Sequence, residues 1–171
     1  LLVLAERVAN SPAIQCVYSD ESALVDEVSQ EPVFKPDFNL DLMRSYPYVG
    51  RSLAFAREPF LALGGFNPSF GELAPQDALW RMVENDGIKV VEHIAEVLLE
   101  STLGLAQWLA LPDVIELNPL VLEAHLHRLG IAHEIRQGSF TSLNRVDYLH
   151  AARPLVSIII VCKDQLAAVQ R

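Results

Sequence analysis

The spacing of apolar positions predicts helices and strands in turn along the first half of the chain. An opening helix is predicted over residues 1–10, where apolar side chains recur at helical spacing: Leu1, Leu4, Ala5, Val8 and Ala9. The apolar runs 14–18 and 88–91 are short enough for buried strands, and residues 51–57 alternate like a half-buried strand. A short helical turn is predicted over residues 58–63. Helices that alternate with strands predict an α/β fold.

Two adjacent glycines, Gly64 and Gly65, precede the most site-like helix of the chain. Glycine adopts backbone angles that a Cβ would forbid, so a sharp turn or a close backbone approach to a ligand is predicted there. Pro75 suits the first position of a helix, and Gly87 suits its end. Asp77 is therefore predicted in the first turn of a short helix.

The carboxylate of Asp77 has two interpretations. An acid in a first turn complements the helix dipole, which contributes from a few tenths to about 1 kcal/mol. An acid beside a glycine turn is also placed to remove a proton from a bound hydroxyl. Spacing alone favours the first interpretation.

Further candidates for ligand binding precede the glycine pair. Asp20 and Glu21 follow the predicted strand 14–18, and open α/β sheets bind ligands at the carboxyl ends of their strands. The alternative is that both acids only solvate a loop. Pro36 pushes Lys35 toward an extended conformation. Lys35 then either projects toward a phosphate or sugar carboxylate, or is an ordinary exposed lysine.

The pattern after residue 113 is architectural. Asn118 suits a helix N-cap, Pro119 suits the first helical position, and Gly130 ends the helix. His125 and His127 are two residues apart and do not share a helical face, so a metal site is not predicted from them.

A hairpin is predicted from residues 131–137 and 142–150, joined around Gly138 and Ser139. Its alternating positions predict burial of three side chains: Ile135, Val146 and Tyr148. Residues 154–164 then predict another buried strand, followed by the start of a helix.

Composition narrows the function classes. The chain has 171 residues, of which 51% are hydrophobic, enough for one ordinary core. Its net charge of −9 and its lack of a basic block argue against nucleic-acid binding. No apolar run approaches the roughly 20 residues that span a bilayer, and no signal peptide is evident. Cys16 and Cys162 define neither a metal knuckle nor a disulfide framework, so a reducing, cytoplasmic setting is expected.

Several motifs occur in an order that resembles one enzyme family. They are VYSDES from Val17, FKPD from Phe34, YVG from Tyr48, GGF from Gly64, QD at Gln76, and PLVSIII from Pro154. This order is similar to that of glycosyltransferase family 2, in its bacterial polysaccharide branch. The resemblance covers roughly residues 1–164. It implies the acceptor-side part of a GT-A fold over residues 1–113, a helix and hairpin linker over 114–153, and the start of a second such domain over 154–171.

The resemblance also implies an activity. The intact protein is expected to transfer a sugar, with inversion, from a nucleotide-sugar to a surface-polysaccharide acceptor, with Asp77 as catalytic base. Substrate-binding roles are implied for a set of further residues: Asp20, Glu21, Lys35, Gly64, Gly65, Gln76, Trp80 and Arg81. The expected partners are the nucleotide-sugar, the glycan acceptor and a neighbouring glycosyltransferase domain, with a homo-oligomer as an option. The expected location is cytoplasmic, with the inner face of the membrane as an option.

The chain departs from the family at chemically important positions. Ser22 replaces an Asp, and residues 98–102 read Leu-Leu-Glu-Ser-Thr where the branch has Leu-Tyr-His-Trp-Arg. A Mg²⁺ or Mn²⁺ ion is expected in the intact protein, but the family's Asp-x-Asp motif is absent here and no metal ligand is assigned. Both ends also interrupt predicted elements, so the chain is expected to be an inert piece of a longer enzyme. The alternatives are a degenerate, non-catalytic module that binds glycan or acts as a scaffold, and an unrelated α/β binding domain.

Overall fold

A computed structural model describes residues 2–25, 28–30, 32–152 and 155–159. They form a mixed α/β fold, which confirms the predicted fold class. Buried residues of β1 (Cys16–Val25), α4 (Ala74–Asp86), α5 (Leu105–Leu109) and α6 (Pro112–Arg128) share one hydrophobic core. No helix in the described ranges has the length and apolar character needed to cross a bilayer.

β1 organises the main sheet. β4 (Val91–Ser101) runs parallel to it, with Cys16 opposite Val91. β2 (Val28–Ser29) and β3 (Ala54–Phe55) pair antiparallel with β1 at its two ends. The register between β1 and β4 shifts on both sides of Asp20, so a bulge lies at this acid.

Three strand predictions need correction because pairing, not local pattern, sets strand length. The strand predicted over residues 14–18 starts at Cys16 and continues to Val25, since β4 pairs with it as far as Ala23 and β2 pairs with Leu24 and Val25. Residues 88–90 form a 3₁₀ turn, and the strand begins at Val91, where pairing with β1 starts. Of residues 51–57, only Ala54–Phe55 has a strand partner.

The predicted helices are mostly confirmed. The opening helix is α1 (Leu2–Asn10), and the turn before the glycine pair is α3 (Arg57–Ala62). α2 (Leu40–Ser45) was not predicted; the Asn39 side chain caps it by accepting a hydrogen bond from the Leu42 backbone N–H. α4 has Pro75 in its first turn and ends at Gly87, whose φ is 83°.

α6 begins earlier than predicted. It starts at Pro112, so Pro119 lies inside the helix and Asn118 is not its N-cap. Proline inside a helix removes one backbone hydrogen bond. The packing of α6 against the core compensates for this lost hydrogen bond, because Val114, Val121 and Leu122 are buried. The end near Gly130 is as predicted, and Gly130 has a φ of 65°.

β5 (His133–Gln137) and β6 (Asn144–Tyr148) form the predicted hairpin, with Ile135 opposite Val146. Ile135 and Val146 are only partly buried, and Tyr148 is 38% exposed, so the predicted burial is incomplete. Residues 155–159 are exposed and form no strand. The rest of the strand and helix predicted over residues 154–171 lies outside the described residues, and the predicted domain boundaries stay predictions.

Candidate functional site

Two clusters of mostly buried polar and charged side chains contain several of the predicted site residues. The first, the Asp77 cluster, consists of Asp77, Arg81, Glu84, His125 and Arg128. The second, the Lys35 cluster, consists of Asp20, Glu21, Lys35, Asp37 and His93.

Asp77 lies in the first turn of α4, as predicted, and only 1% of its side chain is exposed. Arg81 Nε donates to Asp77 Oδ2 over 2.9 Å, and Arg128 Nη1 donates to Oδ1 over 3.1 Å. Charge-assisted hydrogen bonds of this kind are stronger than hydrogen bonds between neutral groups. Two arginines from different helices therefore enclose the candidate base.

Arg81 also connects Asp77 to the glycine turn. Its Nη1 and Nη2 groups donate to the carbonyls of Leu63 and Gly65. Gly64 and Gly65 have φ values of 91° and 68°, so the chain turns through the left-handed region that glycine tolerates. The turn presents its carbonyls to the guanidinium, and Arg81 occupies the space between the turn and the acid.

Glu84 lies two turns after Asp77 on α4 and binds both members from α6. His125 Nδ1 is 2.6 Å from Glu84 Oε1, and Arg128 donates to both Glu84 oxygens over 2.6 and 2.9 Å. Burial by itself would raise the pKa of the Glu84 carboxyl. The hydrogen bonds from His125 and Arg128, with the charge of Arg128, outweigh burial, and the pKa of Glu84 is lowered.

His125 is buried against Trp80, with ring centroids 3.9 Å apart. Burial lowers the pKa of the His125 imidazole; the charges of Arg44 and Arg128 act in the same sense, and together they outweigh the attraction of Glu84. Nδ1 faces Glu84, whereas Nε2 faces the Arg44 guanidinium at 3.4 Å. A neutral ring that donates through Nδ1 and accepts through Nε2 satisfies both contacts.

The free energy of unfolding should decrease as the pH is lowered from about 7.5 to about 5.5, in part because of the His125 imidazole. The folded-state pKa of this imidazole is below its ordinary value of 6.5, so the unfolded chain binds more protons as the pH falls. His125→Gln should show a smaller decrease than the parent in urea unfolding at the two pH values.

His127→Gln is the matched control, because His127 is exposed on the same helix. It removes an imidazole from the same helix without removing a buried side chain. His133 changes the free energy of unfolding in the opposite direction as the pH falls, since a hydrogen bond to the Ile131 carbonyl raises its pKa. The comparison therefore uses differences between variants. An equal decrease in His125→Gln and parent would contradict the prediction.

Lys35 forms the centre of the second cluster. Its Nζ donates to Glu21 Oε2 over 2.7 Å and to the Val49 carbonyl over 2.9 Å. The side chains of Lys35 and Glu21 are only 2% and 5% exposed. Lys35 is therefore neither the exposed lysine of one interpretation nor free to meet a phosphate. Glu21 neutralises it inside the protein.

Asp20 and His93 lie beside this pair. Asp20 Oδ1 accepts a hydrogen bond from the Lys35 backbone N–H over 2.8 Å and lies 2.9 Å from His93 Nε2. His93 Nδ1 lies 3.2 Å from the exposed carboxylate of Asp37. Asp20 and Glu21 lie within β1 and are buried, so the prediction that they solvate a loop is wrong.

Gln76 contacts this cluster through Gly50. Its Nε2 donates to the Gly50 carbonyl over 2.6 Å. A Cβ on Gly50 would lie 3.0 Å from Glu21 Oε2 and 3.2 Å from Lys35 Nζ, and the φ of Gly50 is 75°. Glycine at position 50 therefore leaves room for the buried ion pair.

The described residues contain no group of three or more His, Cys, Asp or Glu side chains arranged to hold a metal ion. Asp20, Asp37 and His93 meet, but both ring nitrogens face carboxylates at hydrogen-bond distance. These residues do not fit a divalent ion. The expected Mg²⁺ or Mn²⁺ site, with main ligands elsewhere in a longer protein, stays a prediction.

The predicted site residues thus fall into different places. Asp77, Arg81 and the glycine pair are brought together, whereas Asp20, Glu21 and Lys35 form the separate Lys35 cluster. Trp80 lies in the core, so its indole lines no accessible surface. Five members of the two clusters were not predicted as site residues: Asp37, Glu84, His93, His125 and Arg128. Arg128 lies 51 residues after Asp77, and no local spacing indicates such a contact.

Comparison with known proteins gives distant relatives. No protein-family model matches the chain. It is 30% identical over 159 residues, or 90% of its length, to the O-antigen biosynthesis protein RfbC of Myxococcus xanthus. It is 31% identical over 172 aligned positions, or 96% of its length, to the uncharacterized protein y4gI of Sinorhizobium fredii. The chain spans only 12% and 19% of the lengths of these relatives.

Proposed function

We propose that this chain is the acceptor-side part of an inverting glycosyltransferase of family 2 that builds a surface polysaccharide. The ordered motifs of the sequence support this proposal, as does the similarity to a protein named for O-antigen biosynthesis. A GT-A fold, a nucleotide-sugar donor, a glycan acceptor and a cytoplasmic location belong to the same proposal.

One observation carries the assignment to this part of the chain. Arg81 joins the glycine turn at Gly65 to the carboxylate of Asp77 through a single guanidinium. Two motifs that resemble the family, GGF and QD, are thereby adjacent in space as well as in order. This adjacency is what a site formed between a glycine turn and a helix start requires.

Asp77 is the proposed general base. It would accept the proton of an acceptor hydroxyl as that oxygen bonds to the anomeric carbon of the donor sugar. The bond from this carbon to the diphosphate breaks at the same time, the diphosphate leaves with the electron pair, and the configuration inverts. Arg128, at 32% side-chain exposure, is the more accessible of the two arginines on Asp77. It must move from Oδ1 before a hydroxyl can approach.

The test is sugar transfer by a longer protein that contains this chain and the residues before it in its gene. The protein is incubated with Mn²⁺, a panel of nucleotide-sugars and a polysaccharide acceptor from the source organism. Product NMR then gives the anomeric configuration. Transfer with inversion supports the proposal. A folded protein that neither binds nor turns over any donor contradicts it.

A non-catalytic module is the second candidate, and the burial of Asp77 favours it. Both carboxylate oxygens accept hydrogen bonds from arginines, as in a structural ion pair. Such a module would bind glycan without turning over any donor. Glycan binding in the absence of donor hydrolysis is the result that separates it from the enzyme.

A further inference from the structure

A groove lies between α2 and the β5–β6 hairpin, away from the glycine turn. Its volume is about 750 Å³, and it is open to solvent. Polar and charged side chains account for much of its lining: two arginines, Arg44 and Arg145, one acid, Asp41, and the polar residues Ser45, Asn144 and Tyr148. Neither the sequence motifs nor the proposed chemistry at Asp77 uses this groove.

Arg44 forms the buried side of the groove. Only 11% of its side chain is exposed, and its carboxylate partner among the described residues is a long ion pair with Asp41. The carboxylate within 4 Å is that of Asp41, at 3.8 Å, and the Asp41 side chain is 87% exposed. The other polar contacts of the Arg44 guanidinium are with His125 and the Tyr148 hydroxyl. A guanidinium that has lost most of its water and has only a long ion pair with an exposed carboxylate favours a closer anion.

The hairpin supplies further recognition groups. The Arg145 side chain is 68% exposed, and its Nε donates a hydrogen bond to Asp147 Oδ1 over 2.8 Å. The remaining N–H groups of this guanidinium are available to a ligand. Asn144 Nδ2 is buried without a hydrogen-bond partner in the described part of the chain. Tyr148 adds a half-exposed ring beside Arg44, whose Cζ lies 5.9 Å from the ring centroid.

We propose that this groove binds an acidic glycan, with the carboxylate or phosphate group of a sugar on Arg44. A guanidinium matches these anions through two parallel hydrogen bonds. The amide of Asn144 and the hydroxyl of Ser45 suit sugar hydroxyls, which both donate and accept. Anion recognition rests on the groove alone, whereas the choice of a glycan as carrier of the anion rests on the proposed function.

Binding of tetragalacturonate to the full chain tests the proposal, with maltotetraose as the uncharged probe and inorganic phosphate as competitor. Isothermal titration should detect tetragalacturonate, and phosphate should weaken its binding. Maltotetraose should bind at least tenfold more weakly. Arg44→Gln should reduce tetragalacturonate affinity about tenfold or more, because a hydrogen-bonded charge is lost. No transfer is measured, so this result is independent of activity at Asp77.

Two further variants keep the test decisive. Arg145→Gln changes an exposed side chain, so the variant should fold like the parent. It should reduce the affinity for tetragalacturonate about two- to fivefold. Arg57→Gln, at an exposed arginine in α3, should leave affinity unchanged. The proposal is overturned if tetragalacturonate does not bind, if maltotetraose binds equally well, or if the groove variants bind like Arg57→Gln. Phosphate binding without tetragalacturonate binding would overturn the glycan assignment.

Discussion

Replacing Lys35 by Met should lower the free energy of unfolding by about 3–5 kcal/mol. Met retains the length and apolar stem of the lysine but removes the ammonium group that pairs with Glu21. The Glu21 carboxylate would then lie without a counter-charge in a site where its side chain is 5% exposed. Removing one member of a buried pair costs more than the pair itself contributes, because the remaining charge stays desolvated.

Urea unfolding monitored by the fluorescence of the buried Trp80 and Trp108 measures this effect. Lys89→Met is the matched control, because Lys89 is exposed and should change stability by less than about 0.5 kcal/mol. The double variant Glu21→Leu with Lys35→Met should recover much of the loss, since no unpaired charge then remains. A loss below about 1 kcal/mol in Lys35→Met would show that water reaches the pair.

The burial of Lys35 also shows why the sequence alone misassigned it. A lysine before a proline in an apparent loop is usually exposed, and nothing near Lys35 in sequence indicates otherwise. Its partner Glu21 lies 14 residues earlier on β1. β1 extends this far because the parallel strand β4, about 70 residues later, pairs along it. Local pattern contains no information on that pairing.

Signals that act within a few residues were more informative. Pro75 and Gly87 correctly predict the two ends of α4, because proline presets the helical φ and Gly87 adopts a positive φ after the last turn. They place Asp77 in the first turn without any knowledge of the tertiary fold. The two arginines on Asp77 have different origins. Arg81 lies four residues away on the same helix, whereas Arg128 lies on α6. The start of α6 was itself predicted wrongly, since the helix begins at Pro112.

Asp77→Asn, the second large change, should act on both activity and stability. If Asp77 is the proposed base, transfer by the longer protein should fall roughly 10²- to 10⁴-fold with little change in donor affinity. The unfolding free energy should also fall, by about 1–3 kcal/mol, because an amide pairs less strongly with Arg81 and Arg128. The cost is smaller than for Lys35→Met, since both arginines are partly exposed and regain water.

These two effects have to be separated before Asp77 can be assigned as the base. Glu84→Gln provides the matched control, because Glu84 binds Arg128 and His125 but does not contact Asp77 directly. Its stability loss should be similar, yet it should retain most of the transfer activity when both proteins are assayed where they are folded. Parallel losses of transfer in the two variants would mean that the ion-pair network supports the fold and that Asp77 has no chemical role. Loss confined to Asp77→Asn would mean that Asp77 is the base. Arg128 must then move away from Asp77 Oδ1 when an acceptor hydroxyl binds.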